Sequence, residues 1–163
     1  MPIQLAFMGT NYNFYSSTAP VFVPQASYPV SASGGTVPAW TGTILFPGAI
    51  QSLTPQLING NPLTVDATMD FALAWSGPAV TNVALELVYV NAAGTATLVC
   101  SFDGTMQKGV VPSSRLKAFK SLAGSQLATM TVLSFEQSFL PVGGWSIDLE
   151  GVDMAGIAQV TLQ

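Results

Sequence analysis

The sequence predicts an all-β protein: an antiparallel β-sandwich or jelly roll of about eight strands, with one short helix near 113–123. The first observation is the alternation of apolar residues with polar or small ones from Leu63 to Trp75. This two-residue period gives an extended strand one apolar face, which a helix with 3.6 residues per turn does not produce. A second sheet must cover that face. The other two observations are further alternating stretches downstream and the turn residues between them.

Residues 1–62 are predicted to form a neutral, proline-rich arm with loops. Prolines recur throughout this segment, and proline cannot donate a hydrogen bond inside a central strand. We therefore expect a short first strand at 3–8 and extended edge pieces around 21–23 and 43–46. The first charged residue of the chain is Asp66, and the segment before it is rich in aromatic residues. Either these loops fold onto their own core, or the arm docks onto neighbouring subunits.

Residues 63–162 are predicted to hold the main strands, and 1–163 to form a single β-barrel domain, because 163 residues is an ordinary length for one domain. After the strand at 63–75, we expect strands at 80–90, 95–102 and 127–139, one from Trp145, and a terminal strand at 157–162 after a turn at 151–156. The side chains predicted to face inward from two of these strands are Val83, Leu85, Leu87 and Tyr89, and Trp145, Ile147 and Leu149. Apolar residues on both sides of 127–139 indicate a strand buried on both faces or one with a bulge.

The helix is predicted from its end signals and its apolar stripe. Ser113 or Ser114 can cap its start, and Leu116 and Phe119 have helical spacing. Gly124 is a typical terminating residue. Because it lies between two predicted strands, we expect this helix to be part of a crossover connection.

The composition predicts an exterior with very few charges. Hydrophobic residues make up 49% of the chain and charged residues 7%, against about 25% charged in an ordinary domain. This surface is either a neutral, Thr-rich β surface exposed to solvent or one that faces other subunits. A net charge of −4 argues against nucleic acid as a partner. The single cysteine excludes an internal disulfide framework. With no signal peptide or membrane span recognised, we expect a cytosolic product that assembles in place.

The sequence contains few candidate catalytic residues. We therefore expect that the protein is not an enzyme and has no cofactor and no small-molecule substrate. Histidine is absent, and most carboxylates fall on the polar phase of a strand. A weak calcium site remains an alternative, because three carboxylates lie close together in sequence beside a glycine turn: Asp148, Glu150 and Asp153. The Ser-x-x-Lys pattern from Ser114 to Lys117 lacks the companion motifs of serine acyltransfer enzymes, and we interpret it as coincidence.

Two groups of residues are candidates for contact. The basic residues Lys108, Arg115, Lys117 and Lys120 lie close together in sequence and form a candidate basic patch. This patch is either a solvated helix face or a contact for an acidic neighbour, lipid headgroups or nucleic acid. The candidate interface consists of aromatic residues in the first third of the chain: Tyr12, Tyr15, Tyr28 and Trp40. If exposed, these rings could instead stack on sugars, as in a lectin-like or adhesin-like sandwich.

With its strand layout from Leu63 to Leu162 and the neutral arm before it, the chain resembles the small single jelly-roll major capsid proteins of tailless, icosahedral, membrane-containing phages of Thermus. The resemblance implies a structural subunit of a virion, assembled in the host cytoplasm. It also implies copies of this chain and a second capsid protein as partners, a lipid membrane beneath the shell, and no catalytic residues. The alternative is a carbohydrate-binding β-sandwich.

Overall fold

The computed structural model describes residues 3–4, 6–8, 11–13, 22–92, 94–123 and 127–163, and for those before residue 22 only the backbone. Strands make up 60% of the described residues, which confirms the all-β class. The described strands are β1 (Ile3–Gln4), β2 (Ala6–Met8), β3 (Asn11–Asn13), β4 (Ser27–Ala32), β5 (Trp40–Leu45), β6 (Ser52–Thr54), β7 (Leu63–Val65), β8 (Phe71–Ser76), β9 (Asn82–Asn91), β10 (Gly94–Asp103), β11 (Lys108–Val111), β12 (Ala128–Val142) and β13 (Trp145–Leu162). The described helix is α1 (Ser113–Ala123), as predicted, and Gly124 lies outside the described residues.

The described strands exceed the predicted eight, and the connectivity of a jelly roll is not confirmed. Most strands pair antiparallel, but β13 pairs with β7 in parallel, as β1 does with β4. A parallel pair needs a long connection between its strands, and about 80 residues separate β7 from β13. Short-range sequence patterns carry no information about such a pairing.

The chain forms two compact units, called here unit 1 (residues 1–47 and 135–152) and unit 2 (48–134 and 153–163). The unit boundaries fall inside β12 and β13, so each of these long strands contributes to both units. Each unit has its own cluster of buried apolar side chains. The prediction of one β-barrel domain over 1–163 stays a prediction.

Unit 2 is a sandwich of two sheets around a shared core. One sheet has the strand order β10-β9-β12-β13-β7, and the other has the order β11-β8-β6. Buried side chains from both sheets and from α1 meet in this core, among them Leu73, Trp75, Leu85, Leu87, Val111, Leu116, Met130, Val132 and Val160. The inward face predicted for β9 is confirmed, since Val83, Leu85, Leu87 and Tyr89 are all buried. On β12, buried and half-buried residues alternate from 128 to 135, so this part of the strand is covered on both faces.

The single long strand predicted from Leu63 to Trp75 is wrong, because a turn divides it into β7 and β8. Asp66 begins the turn: its Oδ1 accepts hydrogen bonds from the backbone N–H and the hydroxyl of Thr68, at 2.8 and 2.7 Å. Aspartate commonly forms such turns with the backbone two residues on. Met69 lies at the turn and is 65% exposed, although it has the apolar phase of the sequence pattern.

The turn predicted at 151–156 is also wrong, because β13 continues through it. Both glycines allow close packing instead. A Cβ on Gly151 would lie 2.4 Å from the carbonyl oxygen of Leu45, and one on Gly156 would lie 3.0 Å from the Cβ of Leu57. Glycine inside a strand often marks such an approach rather than a turn.

Unit 1 packs the β4–β5 hairpin against residues of β12 and β13. Its core contains Val30, Ala32, Trp40 and Leu149, with Ile44, Leu140 and Ile147 partly buried around it. Gly42 allows the contact, since a Cβ there would lie 2.8 Å from Leu149 Cδ1. The edge piece predicted at 43–46 largely coincides with β5, whereas Phe22 and Val23 are not in a strand and Val21 lies outside the described residues. Part of the predicted arm therefore has a core of its own.

Candidate assembly surfaces

The structure places the candidate interface aromatics in different surroundings. Tyr12 lies on β3 with its side chain outside the described residues, and Tyr15 is also outside them. Tyr28 is half-buried, and its hydroxyl oxygen accepts a hydrogen bond from the backbone N–H of Val23 at 2.6 Å. Its ring meets that of Phe22 edge to face, with centroids 5.1 Å apart. Tyr28 therefore stabilises its own segment.

The prediction that Trp40 is exposed is wrong. Trp40 is only 5% exposed, in the core of unit 1 with Val30 and Ala32. The physical reason is its position on the inward phase of β5, where a large ring contributes more by burial than any other side chain of that strand. A partner cannot reach it in this fold.

The basic residues of α1 are distributed around the helix. Its buried stripe consists of Leu116, Phe119 and Ala123. At about 100° per residue, Arg115 and Lys120 lie on opposite flanks of this stripe, and Lys117 lies beyond Lys120 on the exposed side. Partial burial raises the pKa of Cys100 on β10, and the nearby charge of Arg115 acts in the opposite direction. Lys108 is exposed on β11, so the candidate patch resolves into the pair Lys117 and Lys120 and two separate cations.

Lys117 and Lys120 lie towards the turn that follows β7. The two hydrogen bonds from Thr68 hold the pKa of Asp66 below its ordinary value, and the charges of Lys120 and Lys117 lower it further. Since these lysines are three residues apart on a helix, their side chains are neighbours. Asp66, Lys117 and Lys120 therefore lie close enough for their charges to interact, and the exposed Met69 belongs to the same turn as Asp66.

A long-range hydrogen bond ties this turn to the start of α1. The backbone N–H of Ser113 donates to Asp70 Oδ1 at 2.7 Å. The predicted caps were wrong: Ser113 and Ser114 are helical, and the carbonyl of Pro112 accepts the first helical hydrogen bonds. Asp70 satisfies an N–H without a partner inside the helix and places negative charge at the positive end of the helix dipole.

Replacing Asp70 by alanine is expected to lower the free energy of unfolding by about 0.5–2 kcal/mol, the usual contribution of a helix cap. Asp70→Asn is the control, because its side-chain oxygen can still accept from Ser113, and it should lose less. Urea unfolding followed by circular dichroism measures both. Equal losses in the two variants would contradict a capping role for the oxygen.

Asp148, Glu150 and Asp153 do not come together as a metal site. None of the described acidic and cysteine side chains forms a group of three that could hold a metal ion. The reason is the continuous β13: Asp148 and Glu150 lie on one face, while Asp153 has the opposite phase. Gln137 Nε2 donates to Asp148 Oδ2 at 2.8 Å, across the hairpin between β12 and β13.

The pKa of Glu150 is raised by partial burial and, secondarily, by the negative charge of Asp148. A carboxyl with a raised pKa in the folded state destabilises that state when it is ionised. Glu150→Gln is therefore expected to raise the melting temperature of dilute protein near neutral pH. The difference should vanish as the pH falls through the pKa of the folded state to that of the unfolded state, where both forms are protonated. A difference that persists unchanged at low pH would contradict this cause.

Many large apolar side chains are exposed among the described residues. They are Val23, Leu45, Ile58, Met69, Val90, Val99, Met106, Val110, Leu122, Leu127, Phe139, Trp145, Val152 and Met154. Trp145 was predicted to face inward, but it is 49% exposed because it lies at the tip of the β12–β13 hairpin, next to the Gly143-Gly144 turn. Phe139, 65% exposed, was not singled out from the sequence.

The long edge strand β10 offers backbone for pairing. It ends the five-stranded sheet, and Thr95, Thr97, Val99 and Ser101 on its outer face are exposed. Natural edge strands are usually protected by lysine, proline or a bulge. Between Gly94 and Asp103 there is no lysine or proline, and the only charge is at the end. β10 therefore lacks the residues that most often protect an edge strand.

In the described part of the chain, no helix combines the length and the hydrophobicity needed to cross a membrane. Scans against protein-family models, curated proteins and solved structures found no match to this chain.

Proposed function

We propose that this protein is a structural subunit of a viral capsid, which assembles through uncharged loops and sheet edges. Its partners are further copies of itself and a second capsid protein, and its place is the virion, assembled in the host cytoplasm over a lipid membrane. The proposal assigns it no catalytic residue, cofactor, small-molecule substrate or nucleic acid. The resemblance in strand layout and neutral arm supports the viral part of this proposal.

The observation that carries the proposal is the exposed apolar surface of a chain with very few charges. Met69 and Phe139 are each 65% exposed and Trp145 is 49% exposed, while charged residues make up only 7% of the sequence. A monomer normally stays soluble through a mixed charged surface. Interfaces, by contrast, are depleted in charge and enriched in aromatic residues and methionine.

Negative-stain electron microscopy of the purified full chain at high concentration tests assembly. We expect regular particles, rings or sheets much larger than the 17.0 kDa chain. A field of dispersed monomers at every concentration would contradict the proposal.

One observation favours the carbohydrate-binding alternative. Trp145, exposed at a hairpin tip, could stack on a sugar ring in place of the buried Trp40. Tryptophan fluorescence titration with the glycans selected on an array distinguishes the two functions. Saturable quenching that is lost in Trp145→Ala, together with a monomeric protein, would favour the lectin-like function.

A further inference from the structure

The outer face of the β12–β13 hairpin carries charge of one sign only. Asp148 and Glu150 are exposed on this face, while Ile147 and Leu149 turn towards the core of unit 1. The hydrogen bond from Gln137 fixes the carboxylate of Asp148 against the neighbouring strand. Unit 1 contains three acidic residues and no lysine or arginine. No cation of the same unit therefore balances this face.

Exposed apolar side chains lie beside these two carboxylates. Phe139 has the same phase on β12 as Gln137 and is 65% exposed, and Val152 has the same phase on β13 as Glu150 and is 39% exposed. An exposed phenylalanine on the same face as these carboxylates is typical of a contact surface, since aromatic residues are enriched in interfaces.

The second copy of the chain offers two cations with similar spacing, beside the single carboxylate of Asp66. Lys117 and Lys120 project from neighbouring positions of α1, about 5–6 Å apart at Cβ. Asp148 and Glu150 are two residues apart on an extended strand, about 7 Å. Met69, 65% exposed, lies in the turn that Asp70 ties to the start of α1. Each surface thus carries a pair of like charges and has an exposed apolar side chain on a neighbouring segment, and on the helix surface the two lysines outnumber Asp66.

We propose that Phe139, Asp148 and Glu150 of one copy bind Met69, Lys117 and Lys120 of a second copy. The carboxylates would meet the ammonium groups, and the phenylalanine ring would pack against the methionine, a favourable sulfur–aromatic contact. We assign the two surfaces to a heterologous contact, which repeats head to tail and gives a ring or an extended array. This inference rests on the proposed self-assembly and adds a charged contact to the uncharged ones.

Two charge-reversal variants test the contact by mutual rescue. Lys117→Glu with Lys120→Glu makes the helix surface acidic, and Asp148→Lys with Glu150→Lys makes the hairpin surface basic. Each variant alone should associate at least about tenfold more weakly than the native chain, because like charges would face each other. An equimolar mixture should associate again, since each variant then presents opposite charges to the other. Sedimentation velocity measures association, and circular dichroism confirms that each variant is folded.

Lys108→Glu with Arg115→Glu is the matched control, because it changes the net charge by the same amount on residues outside the proposed contact. It should leave association within about twofold of native. Lys117→Gln with Lys120→Gln should also weaken association, but it adds no acidic group beside Asp66. This neutral variant replaces the charge-reversal variant if the reversal disturbs the helix. If the mixture fails to associate, or if the control loses as much association as the variants, the proposed contact is wrong. The proposed function is unaffected by that result as long as the native chain still assembles. A native chain that never associates would overturn both.

Discussion

Leu85→Ala is expected to lower the free energy of unfolding by about 2–5 kcal/mol, the range for a leucine deleted from a packed core. Leu85 is fully buried on β9, which lies between β10 and β12 in the five-stranded sheet. Truncation removes contacts with both layers of the unit 2 sandwich and leaves a cavity that rigid strands close poorly. Urea unfolding monitored by tryptophan fluorescence gives the change.

The matched control for this prediction is Val99→Ala, on the exposed face of the neighbouring strand β10. Val99 is 56% exposed, so its truncation should cost less than about 0.5 kcal/mol in the monomer. If Leu85→Ala were as mild as this control, the shared core between the two sheets would be contradicted.

Gly48→Ala is expected to destabilise the protein by about 1–3 kcal/mol or more, because the added methyl group has no room. A Cβ at this position would lie 2.4 Å from the carbonyl oxygen of Pro78 and 2.5 Å from that of Ala79. Both are backbone atoms, so relief requires a shift of the chain. Such a shift would also strain the hydrogen bond that the buried Ser134 hydroxyl donates to the Gly48 carbonyl, at 2.8 Å.

Gly35→Ala provides the comparison for Gly48→Ala. No atom lies within 4 Å of a Cβ built at Gly35, and the substitution reduces the freedom of the unfolded chain, so it should be neutral or slightly stabilising. Thermal unfolding of the two variants side by side separates a steric clash from a general effect of alanine. Similar melting temperatures would contradict the close packing at Gly48.

Local patterns predicted the elements whose structure depends on their own residues. The alternation at Val83, Leu85 and Leu87 gave the buried face of β9, and the stripe of Leu116 and Phe119 gave α1. The same alternation misled at Met69, where Asp66 and Thr68 form a turn within an otherwise regular pattern. An Asp two residues before a Thr is a usable signal for such a turn, but a weak one against a long apolar phase.

Contacts between distant parts of the chain were not predictable. Nothing near Ser113 in the sequence indicates that Asp70 satisfies its N–H, and nothing near Gly151 indicates the approach of Leu45. The burial of Trp40 was not predictable either, because Leu149, which shares its core cluster, lies more than a hundred residues away in the sequence.

Two features of the candidate surfaces were nevertheless within reach of the sequence. Helical geometry alone separates Arg115 from Lys120 across the buried stripe. The phase of β12, with Met130 and Val132 inward, already places Phe139 on the opposite side of a regular strand. The exposure of Trp145 was not predictable in this way, since it has the same phase on β13 as Ile147 and Leu149, which are partly or fully buried.

The central claim is that other chains cover the exposed apolar residues. The size of the species formed by the purified full chain, measured as a function of its concentration, tests this claim most directly. Sedimentation velocity over about a hundredfold range of concentration, at low and at high salt, should show species whose size increases with concentration. Their association should be weaker at high salt, because salt screens the charged contact. A single species of 17.0 kDa at every concentration and salt would contradict the account.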